Sequence, residues 1–108
     1  VAHEIAGVTG QRLNLVETAI PVNEAVRSIC EILGYDPLYL ACEGRCVAVV
    51  SAAVAETVVA RWQALDEGVG ACVIGEVESG NGDVLLQTPI GGQRRLEALE
   101  DDPLPRIC

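Results

Sequence analysis

The core of this chain has to be aliphatic. Its 108 residues include no phenylalanine, no methionine, one tryptophan and two tyrosines, yet half of them are apolar. Val, Ala, Leu and Ile make up most of that half. The length argues for one domain rather than two. A domain of this size buries roughly two thirds of the surface its unfolded chain exposes and folds without staples. The apolar fraction and positive mean hydropathy argue against disorder.

Charge excludes several functions. Sixteen acids against seven bases leave a net charge of −9. Nucleic acids and anionic membranes are bound through neutralised phosphates, so neither is an expected partner. All seven bases are arginine, which excludes a Schiff-base lysine, a phosphate-loop lysine and a lysine acid/base. No apolar run reaches the ~20 residues of a membrane span, and no basic-then-apolar leader opens the chain. The abrupt start at Val1-Ala2-His3, without Met, reads as a fragment of a longer protein.

Five cysteines, Cys30, Cys42, Cys46, Cys72 and Cys108, make an odd set with no Cys-x-x-Cys. This fits neither a disulfide framework nor a strong zinc motif. Cys42-x3-Cys46 is at most half a metal site, and the single histidine, His3, lies near the start; no metal site is expected. Cys30 and Cys72 lie in apolar runs and read as buried small hydrophobes. Cys108 is the last residue.

Hydrophobic spacing sets the elements. Gly7 and Gly10 mark bends in the first twenty residues, where Arg12–Val16 reads as a short strand or the approach to a helix. Val22, Val26, Ile29 and Leu33 recur at helical spacing between Pro21 and Gly34, predicting a helix over Asn23–Leu33. Leu38–Ala41 and Cys46–Val50 read as strands of a hairpin, the second buried, joined by a tight connection at Cys42–Arg45. Ser51 reads as the N-cap of a helix over Ala52–Leu65, with Trp62 on its core face. Ala71–Val77 and Val84–Thr88 read as a second antiparallel pair joined through Ser79–Asp83. Gln93–Leu99 is a last strand or a turn of helix. The rest, Glu100–Cys108, has three acids and two prolines and reads as a tail able to extend about 30 Å. The predicted class is α+β, with helices packed on a mixed, mostly antiparallel sheet. The expected organisation is a domain over 1–99 and a flexible tail over 100–108.

The ending Pro105-Arg106-Ile107-Cys108 resembles the C-terminus of the HypE family of hydrogenase maturation carbamoyl dehydratases. Other segments agree in order. Thr18-Ala19-Ile20-Pro21-Val22 precedes the first helix as in that family. Leu33-Gly34-Tyr35-Asp36-Pro37-Leu38-Tyr39 resembles its Leu-Gly-x-Asp-Pro-Leu-Tyr segment, and Glu43-Gly44 its Asn-Glu-Gly turn. Ile74-Gly75-Glu76-Val77 and Gly91-Gly92 also fit. Cys42 replaces the Asn of that turn, and Arg45 the Lys often found after it. The match runs from about Thr18 to the end. HypE is similar to aminoimidazole ribonucleotide (AIR) synthetase and has two domains, of which this chain resembles the C-terminal one.

The resemblance implies a cytoplasmic enzyme that works with ATP and Mg. The main nucleotide site and the homodimer interface are expected in an N-terminal domain. This chain alone is expected to be inactive in dehydration and to bind no cofactor. A HypF-type transferase would deliver a carbamoyl group to the Cys108 thiol. ATP-dependent dehydration would turn it into a thiocyanate, and the cyanide would pass to iron on a HypC–HypD complex. A thiolate suits the first step as a strong nucleophile. Glu43 is the candidate base for the amide protons. The nearby Asp101, Asp102 and terminal carboxylate disfavour a thiolate at Cys108, and Arg106 offsets part of this.

From the residues alone, a rival class stays open. The chain can be a non-catalytic interaction domain whose acidic C-terminal peptide docks a partner. A carrier needs the Cys108 sulfur, whereas a docking motif largely tolerates Ser there. A redox-sensing thiol protein is a third reading and needs a resolving cysteine near Cys108.

Overall fold

The sheet is built around a strand with neighbours on both sides. In the computed structural model, which describes residues 1–100, β1 (Arg12–Val16) pairs antiparallel with β2 (Gly75–Glu78) and parallel with β3 (Val84–Gln87). β3 in turn pairs antiparallel with β4 (Gln93–Arg95), giving the order β2-β1-β3-β4. Three α-helices accompany the sheet: α1 (Ala2–Thr9), α2 (Glu24–Leu33) and α3 (Ala55–Gln63). This is the expected α+β class with a mixed sheet.

The chain divides into two compact units. The first, Val1–Pro21 with Val47–Glu97, contains the whole sheet, α1 and α3. Strand alternation sends Leu13 and Leu15 of β1 to the same face as Val84 and Leu86, their partners in the β3 register. α1 packs on β1 and β3. Ala6, Leu13, Val84, Leu86 and Leu96 are buried there, so the core is aliphatic as the composition requires. Trp62 is only half-buried.

One carboxylate ties three strands together. Asp83, just before β3, accepts a hydrogen bond from Arg12 at 3.3 Å and another from Arg95. Its side chain is 13% exposed, against 35% for Arg12 and 57% for Arg95. The Asp83 carbonyl also accepts from the Leu13 amide at 2.9 Å. The same residue thus sets the β1/β3 register through its backbone and clamps β1 to β4 through its side chain.

The second unit, Val22–Cys46 with the described residues from Ala98, contains α2. The Asn23 side chain accepts from the Ala25 amide at 2.9 Å, capping the start. Gly34 ends the helix at φ +73, and the Tyr35 amide reaches back to the Cys30 carbonyl. The helix lies where the periodicity puts it. Its cover is different: Cys30 is the only buried residue of α2, while Ile29, Ile32 and Leu33 are exposed.

Several expectations need correction. α1 forms where two bends were expected: the helix runs through Gly7, around which a side chain would meet nothing, and stops at Gly10 in the left-handed region. Leu38–Ala41 is not a strand. Asp36 accepts from the Leu38 amide at 2.9 Å, and with Pro37 it starts a 3-10 turn over Pro37–Tyr39. Cys46–Val50 is neither strand nor buried. Ser51 caps nothing with its side chain. Its carbonyl accepts from the Val54 amide in a turn, and the helix starts at Ala55. β2 and β3 do not form a hairpin, because β1 lies between them. The hairpin that does form joins β3 to β4 through Gly91 at φ +86, with the Thr88 amide bonded to the Gly92 carbonyl. Cys72 is exposed and donates its thiol to the Ala19 carbonyl at 3.3 Å.

Stability should follow this order of dependence. Leu86→Ala, at a fully buried position, is expected to cost about 3 kcal/mol. Asp83→Ala should cost about 1–2 kcal/mol, since it leaves two arginines without their acceptor. Urea denaturation measures both, and a larger loss for Asp83→Ala would refute the core as the main source of stability.

Candidate functional site

Glu43 lies in the second unit, in the segment that follows the Pro37–Tyr39 turn. Gly44 beside it has φ +79, a conformation that favours glycine. The Cys42 thiol lies 3.8 Å from the Glu43 carbonyl, as a weak donor to it. Cys42, Glu43, Arg45 and Cys46 are all exposed. The turn therefore presents a carboxylate to solvent, close in sequence to two thiols and a guanidinium. It is not held between two strands, as the expected hairpin required. Upstream, it is continuous with the 3-10 turn that packs against α2. Cys108, the other expected site residue, lies outside the described residues.

The sheet has a second feature that the sequence did not disclose. On the face opposite the buried leucines, a cleft of about 390 Å³ is lined by Asn14, Val16, Glu76, Glu78, Gln87 and Gln93, among others. The register explains their convergence: Asn14 stands opposite Glu76, Val16 opposite Gln87, and Gln87 opposite Gln93. The Asn14 Oδ1 is buried and accepts no hydrogen bond among the described residues. Gly75 completes the floor, where an added Cβ would overlap the Asn14 carbonyl oxygen. Two carboxylates make the cleft unfavourable for a triphosphate, which like charge repels. Its alternating polar residues were visible in Arg12–Val16 and Gly75–Glu78, but only the β1/β2 pairing unites them.

Nothing in the described residues forms a group of three or more His, Cys, Asp or Glu side chains placed to hold a metal ion. No described helix is long and apolar enough to cross a membrane.

Comparison with known proteins places this geometry. Residues 1–87 match the family model described as AIR synthase related protein, C-terminal domain. The chain is 47% identical over 107 residues to carbamoyl dehydratase HypE of Rhodobacter capsulatus and 43% identical to that of Azotobacter vinelandii. These matches take in 98% of the chain but only 32% and 31% of the relatives, so the chain spans about a third of their length. Among solved structures, Escherichia coli HypE, a hydrogenase maturation protein, superposes with a TM-score of 0.92 at 40% identity, over 99% of this chain and 33% of that one. HypE in complex with ATP gives 0.88 at 38% identity, over 94% and 32%. A HypE–HypF complex gives 0.83 at 34% identity, over 89% and 31%.

Thiol accessibility tests the site geometry directly. A brief pulse of iodoacetamide on the folded chain should label Cys42 and Cys46, which are exposed, and spare Cys30, which is 2% exposed. Peptide mass spectrometry reads the result. Equal labelling of Cys30 would mean that α2 does not bury its thiol.

Proposed function

The chain belongs to the AIR synthase related family as a C-terminal domain, and on that premise we propose that it is the C-terminal domain of a hydrogenase maturation carbamoyl dehydratase. The observation that carries this reading is a terminal Pro105-Arg106-Ile107-Cys108 on a chain whose sequence and fold are similar to HypE throughout. The whole enzyme works in two domains and uses ATP and Mg, with the main nucleotide site outside this chain. Similarity to HypE proteins solved with ATP and with HypF supports the nucleotide and the transferase partner.

The chemistry divides by residue. The Cys108 thiolate attacks the carbonyl carbon of an activated carbamoyl group held by a HypF-type partner. A sulfur–carbon bond forms and the activating group leaves, giving a thiocarboxamide. Its oxygen is a poor leaving group, so ATP first phosphorylates it. Loss of phosphate breaks the carbon–oxygen bond as both protons leave the nitrogen, and a thiocyanate remains on Cys108. Glu43 is assigned as the base that takes those protons. Its position on a turn at the surface lets a separate catalytic surface and a delivered thiocarboxamide reach it. The nitrile group then passes to iron on a HypC–HypD complex: the sulfur–carbon bond breaks with its electron pair remaining on the Cys108 thiolate, and a reduced iron centre supplies the two electrons that make the transferred group a cyanide ligand.

The tail suits a carrier. Pro103 and Pro105 restrict its backbone and reduce the entropy lost when it docks. Its acids disfavour the thiolate in free solution, so activation belongs inside a partner's site. Transfer, dehydration and release involve three different surfaces, and a terminal peptide is the simplest element that visits all three.

Mass spectrometry tests the first step. After incubation with HypF, carbamoyl phosphate and ATP, a carbamoyl-sized adduct is expected on the last peptide of the two-domain protein and is expected to vanish in Cys108→Ser. An unmodified wild-type protein under conditions where HypF is active would leave the docking-motif reading in its place. Glu43→Gln should keep the carbamoyl adduct and slow its dehydration by at least about 100-fold, the usual contribution of a general base. Dehydration at the wild-type rate would remove Glu43 from the mechanism.

A further inference from the structure

Glu43 is reached from α2 along a series of short-range hydrogen bonds. Cys30 is the buried residue of that helix. Its carbonyl accepts from the Tyr35 amide at 2.9 Å, across Gly34 in the left-handed region. Asp36 then accepts twice: its carboxylate from the Leu38 amide at 2.9 Å, its carbonyl from the Tyr39 amide at 3.1 Å. Pro37 presets φ for the turn and has no amide to satisfy. The Leu40 amide reaches the Pro37 carbonyl at 3.3 Å. Among the described residues, that is the last backbone hydrogen bond before Glu43. All of these partners fall between Cys30 and Leu40, so the arrangement belongs to the segment itself and needs no other part of the polypeptide.

The parts of this series are unequal. α2 has a side-chain cap at Asn23 and a left-handed glycine at its end. The Pro37–Tyr39 turn has three residues, too few for cooperative support, so its Asp36 cap carries a large share of its order. With the turn formed, Glu43 lies three residues beyond the last fixed amide, a reach of about 10 Å. With the turn open, the last fixed amide is Tyr35, eight residues back, and the reach is about 26 Å. A general base acts only within hydrogen-bond reach of the proton it removes, and a misplacement of about 1 Å can cost about 100-fold. We propose that Asp36 is a positioning residue for dehydration: by capping the Pro37–Tyr39 turn it sets where Glu43 stands, without itself touching the thiocarboxamide. The proposal rests on reading Glu43 as the base.

A double-mutant cycle in the two-domain protein tests this. HypF loads the protein with a carbamoyl group, ATP is added, and intact mass follows a single turnover of dehydration. Asp36→Ala should slow dehydration by at least about 10-fold and leave the extent of carbamoylation unchanged. Asp36→Asn keeps an acceptor of similar capping strength and should stay within about threefold of the wild-type rate. In a Glu43→Gln background, adding Asp36→Ala should change the rate by less than about twofold, because the group it positions is already gone. A purely structural role gives the opposite pattern: the two losses multiply, and carbamoylation falls with the folded fraction. Either of those results overturns the proposal, as does a wild-type rate in Asp36→Ala or an Asp36→Asn as slow as Asp36→Ala. Glu43→Gln at the wild-type rate overturns the base and the positioning together, whereas a slow Glu43→Gln with multiplied losses overturns the positioning alone.

Discussion

Everything in the larger unit depends on β1 having a partner on each edge. It runs antiparallel to β2 and parallel to β3, so each of its pairings is with a segment about sixty or more residues further along the chain. The same five residues do two jobs by alternation. Leu13 and Leu15 face the aliphatic core, while Asn14 faces the polar cleft. A slip of one residue would exchange the faces and put an amide in the core. Asp83 guards against that slip, because its carbonyl holds the Leu13 amide and its carboxylate holds Arg12 and Arg95.

Local chemistry was legible in the sequence, and long-range pairing was not. α2 is bounded by Asn23 and Gly34, residues whose side chain or φ does the capping, so its ends follow from the sequence. The parallel β1/β3 contact carries no local signal. The loop chemistry of Ser79–Asp83 is compatible with a hairpin, and only the insertion of β1 excludes one. Leu38–Ala41 was misread for another reason. Asp36-Pro37 before it specifies a capped helical turn that runs on through Tyr39, and the apolar Leu38-Tyr39-Leu40 drew the strand reading. Cys72 and Val47–Val50 were placed in the core on apolar sequence alone, although burial needs a covering element as well as an apolar side chain.

The same distinction applies to the site. Glu43-Gly44 was recognisable because a family turn and a left-handed glycine coincide, and Gly44 does adopt positive φ. The cleft was not recognisable, because its residues come from four strands united by register. Its acidic lining repels a triphosphate, and the Glu43 turn carries a single guanidinium, Arg45, close in sequence to its carboxylate. The division of labour we propose is that this domain contributes a base and a carrier sulfur, and another part of the enzyme holds the nucleotide.

The central claim is that a one-carbon unit is converted to a nitrile on the terminal sulfur. Infrared difference spectroscopy of the two-domain protein, charged by HypF with ¹³C-labelled carbamoyl phosphate, tests it most directly. On adding ATP, a nitrile stretch should appear, lie at lower frequency for ¹³C than for ¹²C, and be absent in Cys108→Ser. A charged protein that consumes ATP without developing that band would contradict the account.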